Sequence, residues 1–431
     1  MPTPYPHQIE GAQFLAAGGH LLADDPRVGK TAAAIMACDF VLSRRILVVT
    51  TATGRANFAR EFREWQAFPR RVQVLYGALD KIDPLADVLV VAWSIVADKR
   101  LAGALAAWPC DVLVLDESHY AKSVTAKRTS AAMLLAKAAA RVFCLSGTPM
   151  PNAPNDLWPM LATLAPERID NMDYDAFVRR FCVTRAKFMG GKRIEVVVNG
   201  KNLPELRERL QGFWLRRTQA DVGIREPIYS VLSVEVGGKD MARAREAAAD
   251  LDLDEILAAA ETGETRSLEV HMGPLRRITG VAKAVAIADL VNEEMESGSL
   301  DRIVLMCWHT EVMRLLAERL DHHGAVRLDG STTGPNRDAA VRAFQTGKAR
   351  VFIGQIQAAG EAIDLSSSCN LIFVEASWTP KDMRQASLRI TNHAQKRQCL
   401  VRFAALAGSI DEALTSVLTR KVATIREVMK A

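Results

Sequence analysis

Short, almost unbroken apolar runs recur through the first third of the chain, each passing into polar residues and then into a helix-like stretch. They are HLLA at His20, ILVVT at Ile46, VLVVAW at Val88, VLVLDES at Val112 and VFCLSG at Val142. Runs apolar at every position, rich in Val, Ile and Leu, predict strands buried on both faces, as in a parallel sheet covered by helices. From Pro151 to about Gly298 the pattern is mostly helical, interrupted by KFMGGKRIEVVVNGKN, whose glycines flank a β-rich run and predict a hairpin or extended loop. ARAREAAADLDLDEILAAAETGETRS, from Ala242, lacks strand formers and predicts a helix ending in an exposed loop. The alternation then returns with IVLMCW at Ile303, AVRLDG at Ala325, RVFIGQ at Arg350, NLIFVEA at Asn370 and QCLVRFAA at Gln398. The expected fold class is α/β: two parallel sheets flanked by helices, with helical insertions between them.

A length of 431 residues suits two domains. With 49% hydrophobic and 24% charged residues the chain is expected to fold. MPTPYPHQIEG carries no basic segment followed by an apolar run, and no window approaches a membrane span, so a soluble intracellular protein is expected. The seven cysteines are scattered singly, without a C-x-x-C pair, and most read as core thiols rather than as a disulfide framework or zinc cluster. A net charge of +5 is too modest to argue for nucleic acid by itself. The arginine pairs at 44–45, 70–71, 179–180, 216–217 and 276–277 read more readily as solvated helix faces than as a DNA track.

Two segments change that picture. In LLADDPRVGKTAAAI, Gly29, Lys30 and Thr31 stand between a strand and a helix, where backbone amides, an ammonium and a hydroxyl can hold phosphate oxygens and Mg²⁺. Taken alone, the triplet fits an ordinary helix start with an exposed lysine equally well. In VLVLDESHY an apolar strand delivers Asp116 and Glu117 to the crevice where α/β sheets bind ligands. One carboxylate could serve the metal shell and the other the attacking water, although a solvated turn would look similar.

PHQIEGAQFL, ILVVTTATGRANFAREFREW, LSGTPMPNAPNDLW, LPELRERLQGFWLRRTQADV, RRITGVAKAVAIADLV, RLDGSTTGPNRDAAVRAFQ and QASLRITNHAQK complete a resemblance. Their order and spacing are similar to the Swi/Snf-like branch of helicase-like, ATP-driven DNA translocases. FVEASWTPKDMRQA resembles the annealing-helicase group within it. The resemblance runs over nearly the whole chain. It implies two RecA-like lobes: an ATP-binding lobe with a helical extension over 1–235, a helical segment over 236–285, and a C-terminal helicase lobe over 286–431. It implies ATP and Mg²⁺ as cofactors and duplex DNA as partner, gripped through phosphates. It also implies a monomer without membrane attachment, cytoplasmic in a bacterium or phage-infected cell, nuclear if eukaryotic.

Residue by residue, the resemblance gives Gln8 the adenine edge, and Arg27, Gly29, Lys30 and Thr31 the phosphates, with Thr31 and Asp116 on Mg²⁺. Lys30, Asp116, Glu117 and Arg389 would carry the chemistry, with Gln385 reaching the nucleotide from the second lobe. His119, Ser146, Gly147, Thr148 and Gly360 would couple nucleotide state to DNA. The chain departs from the family at Arg27, usually glycine; at Asn392, usually a second cleft arginine; and at Ala362 and Asp364, usually Gly and Thr. Asp364 is expected to point away from DNA or to bond a neighbouring amide. Asn392 leaves three accounts open: a slow enzyme, a finger shifted to Arg384 or Arg397, or a deliberate substitution. The rival functions are a hydrolysis-impaired DNA-binding module of the same fold and an RNA-directed helicase.

Overall fold

The computed structural model describes residues 2–430 except positions 53, 148, 151–152, 190–191, 250, 253, 255, 258–264, 333 and 360–362. The chain divides into two compact units, Met1–Val222 and Gly223–Ala431.

In the first unit, β1 (Leu21–Leu22), β2 (Ile46–Thr50), β3 (Val72–Val74), β4 (Val88–Ala92), β5 (Val112–Asp116), β6 (Arg141–Leu145) and β9 (Trp214–Leu215) form a seven-stranded sheet in the order β3-β4-β2-β5-β6-β1-β9. Every pairing is parallel. Both faces are buried, which is why the strands read as continuous apolar runs. Leu47, Val49, Leu113 and Leu115 enter one core, while Ile46, Val48, Val112 and Val114 enter the other. Helices α1 (Pro6–Ala16), α2 (Lys30–Phe40) and α3 (Gly54–Trp65) belong to this unit. The expected hairpin is present as β7 (Cys182–Met189) and β8 (Lys192–Gly200), an antiparallel two-stranded sheet of its own.

In the second unit, β10 (Ile228–Val234), β11 (Ile303–Cys307), β12 (Ala325–Leu328), β13 (Val351–Gln355), β14 (Asn370–Phe373) and β15 (Leu400–Leu406) form a parallel sheet in the order β10-β15-β14-β11-β13-β12. The same alternation splits Val304 and Met306 from Ile303, Leu305 and Cys307. This is the expected α/β class: two units, each built on a parallel sheet flanked by helices. The contact division falls after Val222, and β10 pairs with β15 along its whole length, so it folds with the second sheet. Residues 236–285 likewise lie in the second unit, where Met272 and Leu275 enter its core.

Six of the seven cysteines are buried and all are free thiols. The arginine pairs are not uniformly solvated. Arg217 and Arg276 are buried, and the Arg70 side chain is closed off in an ion pair with Asp39 at 2.6 Å. Among the described residues no helix is long and apolar enough to cross a membrane.

Candidate active site

Strands β1, β5 and β6 are neighbours, and in a parallel sheet their C-terminal ends open on one crevice. From β1 the chain runs through Asp24-Asp25-Pro26-Arg27-Val28-Gly29 into α2, so Lys30 and Thr31 occupy its first turn, half-buried. Gly29 has φ 102°, and a Cβ there would run into the Gln8 amide. Only glycine suits both conditions. Arg27 is also left-handed, with φ 71°, so the position where the family usually carries glycine keeps glycine's conformation at a cost of about 1–2 kcal/mol.

Helix α1 closes one side of this loop. The His7 ring, through Nε2, contacts the Val28 carbonyl at 2.9 Å, and Gln8, buried, accepts the Tyr5 amide at 2.9 Å. Lys30 is turned back onto the loop, where Nζ donates to the carbonyls of Asp24 at 2.7 Å and Asp25 at 3.1 Å. An ammonium held by carbonyls alone can move to phosphate oxygens without breaking an ion pair.

Across the crevice Asp116 ends β5. Its carboxylate accepts the Thr50 hydroxyl at 2.6 Å, and its carbonyl accepts Trp93 Nε1 at 2.8 Å. Burial, then the adjacent Glu117 carboxylate, push the Asp116 carboxyl up to about 7. Glu117 is left-handed at φ 47°, which turns the chain sharply into the short helix Ser118–Ala121. His119 Nδ1 then lies 3.3 Å from Glu117 Oε2 and 2.9 Å from Ser146 Oγ, connecting the carboxylate to the end of β6. A Cβ on Gly147 would sit 3.1 Å from Pro26 Cδ, so this glycine lets β6 approach the loop. The structure thus brings Gln8, Arg27, Gly29, Lys30, Thr31, Asp116, Glu117, His119, Ser146 and Gly147 together in one unit. Thr148 lies outside the described residues.

In the second unit Gln385 is half-buried on the helix Pro380–Ser387, and Arg389 follows it, buried, in Leu388–Ile390. Gly360 and Ala362 lie outside the described residues. Asp364 bonds a neighbouring amide as expected: Oδ1 accepts Ser366 N at 3.0 Å and Ser366 Oγ at 2.6 Å. Asn392 belongs to the same knot. Its amide nitrogen donates to Ser366 Oγ, its oxygen accepts Gln395 N at 2.7 Å, and Gln395 Nε2 reaches Ser366 O at 3.0 Å. Asn392 therefore ties two loops of its own unit together. Arg384 lies 3.8 Å from Glu226, and Arg397 is exposed.

Sequence reasoning missed Arg217 and Gln219, which lie along the loop; the signal for them was the LRRTQADV segment itself. It also missed Glu375, buried, which accepts the amides of Trp308 and His309, each at 2.8 Å, and faces His309 Nδ1 at 2.6 Å. Beside it the Arg276 guanidinium is sandwiched between Trp308 and Trp378, 4.1 and 4.5 Å from the ring centroids.

Residues 7–237 match the SNF2-related domain, and residues 283–393 match the helicase conserved C-terminal domain. Among curated proteins the chain is 25% identical to the DNA annealing helicase and endonuclease ZRANB3 of Mus musculus, covering 96% of this chain and 40% of that protein. It is 27% identical to the SWI/SNF-related matrix-associated actin-dependent regulator of chromatin subfamily A-like protein 1 of Xenopus tropicalis, covering 97% and 44%. The chain thus spans roughly two fifths of the length of these relatives. Among solved structures, the Sulfolobus solfataricus SWI2/SNF2 ATPase core in complex with dsDNA aligns at 18% identity and a TM-score of 0.47, over 99% of this chain and 95% of that one. With the SNF2-related domain matching more than half of the chain and the helicase C-terminal domain matching part of the remainder, the chain belongs to the SNF2-related family of helicase-like motors.

Proposed function

We propose that the protein is a DNA-dependent ATPase that uses ATP hydrolysis to move along duplex DNA, as a translocase of the remodelling or annealing type. The observation that carries this reading is the crevice of the first unit, where Lys30, in the first turn of α2, faces a carboxylate pair at the end of β5. Lys30 would leave the Asp24 and Asp25 carbonyls for phosphate oxygens, while the first-turn amides of α2 and Gly29 cradle them. The donor set fits Mg²⁺: Asp116 is held up by burial and by Glu117, so a divalent cation beside Asp116 and Thr31 would relieve the charge that the pair cannot share. Bound there, Mg²⁺ would neutralise charge on the transferring phosphoryl. Glu117 would orient or deprotonate the attacking water, with His119 and Ser146 holding it. Gln8 would read the adenine edge. We assign Gln385 and Arg389, in the second unit, to nucleotide, and Gly360 with the segment to Leu365 to DNA.

A hydrolysis-impaired DNA-binding module is the second reading, and one observation favours it. Asn392 offers only a neutral amide, already bonded to Ser366 and Gln395, where the family usually places a finger arginine worth roughly a thousandfold in rate. The intact first-unit crevice supports hydrolysis. Calorimetric titration of ATP·Mg²⁺ into the parent and Lys30→Ala tests the site. Binding should be lost or weakened at least about tenfold in the variant, since charge-assisted phosphate contacts are worth roughly 1.5–3 kcal/mol. Equal binding by both would remove Lys30 from the nucleotide.

A further inference from the structure

The segment that closes the first unit lies along the phosphate loop. Strand β9 pairs with β1, and the Ala23 amide donates to the Leu215 carbonyl at 2.7 Å and that of Asp25 to the Arg217 carbonyl at 2.9 Å. Arg217 then turns its guanidinium onto Asp24, Nε to Oδ1 at 3.1 Å and Nη2 to Oδ2 at 2.6 Å, while Nη1 donates to Glu10 at 3.0 Å and to the His7 carbonyl. Two residues on, Gln219 Nε2 donates to the Pro26 carbonyl at 2.9 Å. A Cβ on Gly11 would stand 2.8 Å from Arg217 Nη2, so α1 has a glycine where the guanidinium passes.

We propose that Arg217, with Gln219, positions the phosphate loop, so that the stretch of chain leading into the second unit is part of the nucleotide site. The bidentate fork fixes the Asp24 side chain, and the Asp24 carbonyl is where the Lys30 ammonium rests. The carbonyls of three successive loop residues, Asp24, Asp25 and Pro26, are thus taken by Lys30 or Gln219, while Arg217 holds loop and α1 together. A lysine at 217 could make a point contact but could not span Asp24, Glu10 and His7 at once. The chain crosses into the second unit only five residues later, after Val222. The proposal rests on the reading of this loop as the ATP site.

The test combines amide exchange of the nucleotide-free protein over residues 21–35 with steady-state ATP hydrolysis, for the parent, Arg217→Met, Arg217→Lys and Gln219→Ala. Arg217→Met should exchange the loop amides about tenfold faster while β2, β4 and β5 keep the parent's protection. Its KM for ATP should rise roughly tenfold to a hundredfold, with partial recovery in Arg217→Lys. Loop exchange within twofold of the parent, or a rise shared by all first-unit strands, would overturn the proposal by making Arg217 a general structural residue. If Arg217→Met does not fold, Gln219→Ala carries the same test, with loop exchange raised and strands unchanged. If the parent neither binds nor hydrolyses ATP, the ATP-site reading fails, and the exchange measurement still decides the clamp.

Discussion

Asp116 is the residue on which the proposed site leans most. Its folded-state carboxyl is raised to about 7, so its contribution favours folding while protonated and is lost as pH rises from the ordinary carboxylate range through about 7. Asp116→Asn keeps an acceptor for Thr50 without the charge. Between pH 5 and pH 8 its melting temperature should fall less than the parent's; parallel curves would contradict the assignment. Arg27 and Gly29 share a left-handed backbone but differ in space. Arg27→Gly should be neutral or stabilising by up to about 1 kcal/mol, strain relief being offset by unfolded-state entropy. Gly29→Ala should destabilise clearly when both variants are unfolded in urea, and an equal loss in Arg27→Gly would show that the left-handed reading of Arg27 is wrong. The site residues on strand ends were legible in the sequence because residue type, strand end and order all sit within short segments. Arg217 was not: its partner Asp24 is 193 residues away, so its pair read as surface charge.

At the scale of elements, long apolar runs announced the central strands, because burial on both faces leaves no polar positions. The edge strand β10 escaped notice. IYSVLSV mixes exposed and half-buried positions, and its partner β15 lies far along the chain. Two-residue β1 and β9 owe their existence to neighbours rather than to propensity. Lys283 shows how the second unit's helices are locked to their sheet. Buried within the helix Thr265–Glu296, it donates to the Ala404 carbonyl of β15 and to Asp411 of the helix Ile410–Lys430, each at 2.8 Å. Lys283→Met leaves the Asp411 carboxylate facing only the Leu406 amide. Breaking a buried pair from one side costs roughly 3–5 kcal/mol, so thermal unfolding should start about 6–20 °C earlier. A shift under about 2 °C would mean that the pair is not closed off from water.

For the whole molecule, a motor that must step over any sequence has to grip phosphates. Affinity for duplex DNA should therefore fall steeply with salt, with a log–log slope near −0.9 per phosphate neutralised, and vary little between sequences. Salt-insensitive binding, or strong preference for one sequence, would point to another partner. The family match reaches both halves of the chain; the proposed hydrolysis rests on the first-unit crevice, whereas the second unit carries a neutral Asn392 where the family usually has an arginine. The most direct measurement is phosphate release from ATP by one preparation, with and without duplex DNA, beside Lys30→Ala. The account predicts release by the parent that rises at least about tenfold with DNA and is absent in the variant. Release that ignores DNA, or survives unchanged in Lys30→Ala, would contradict it.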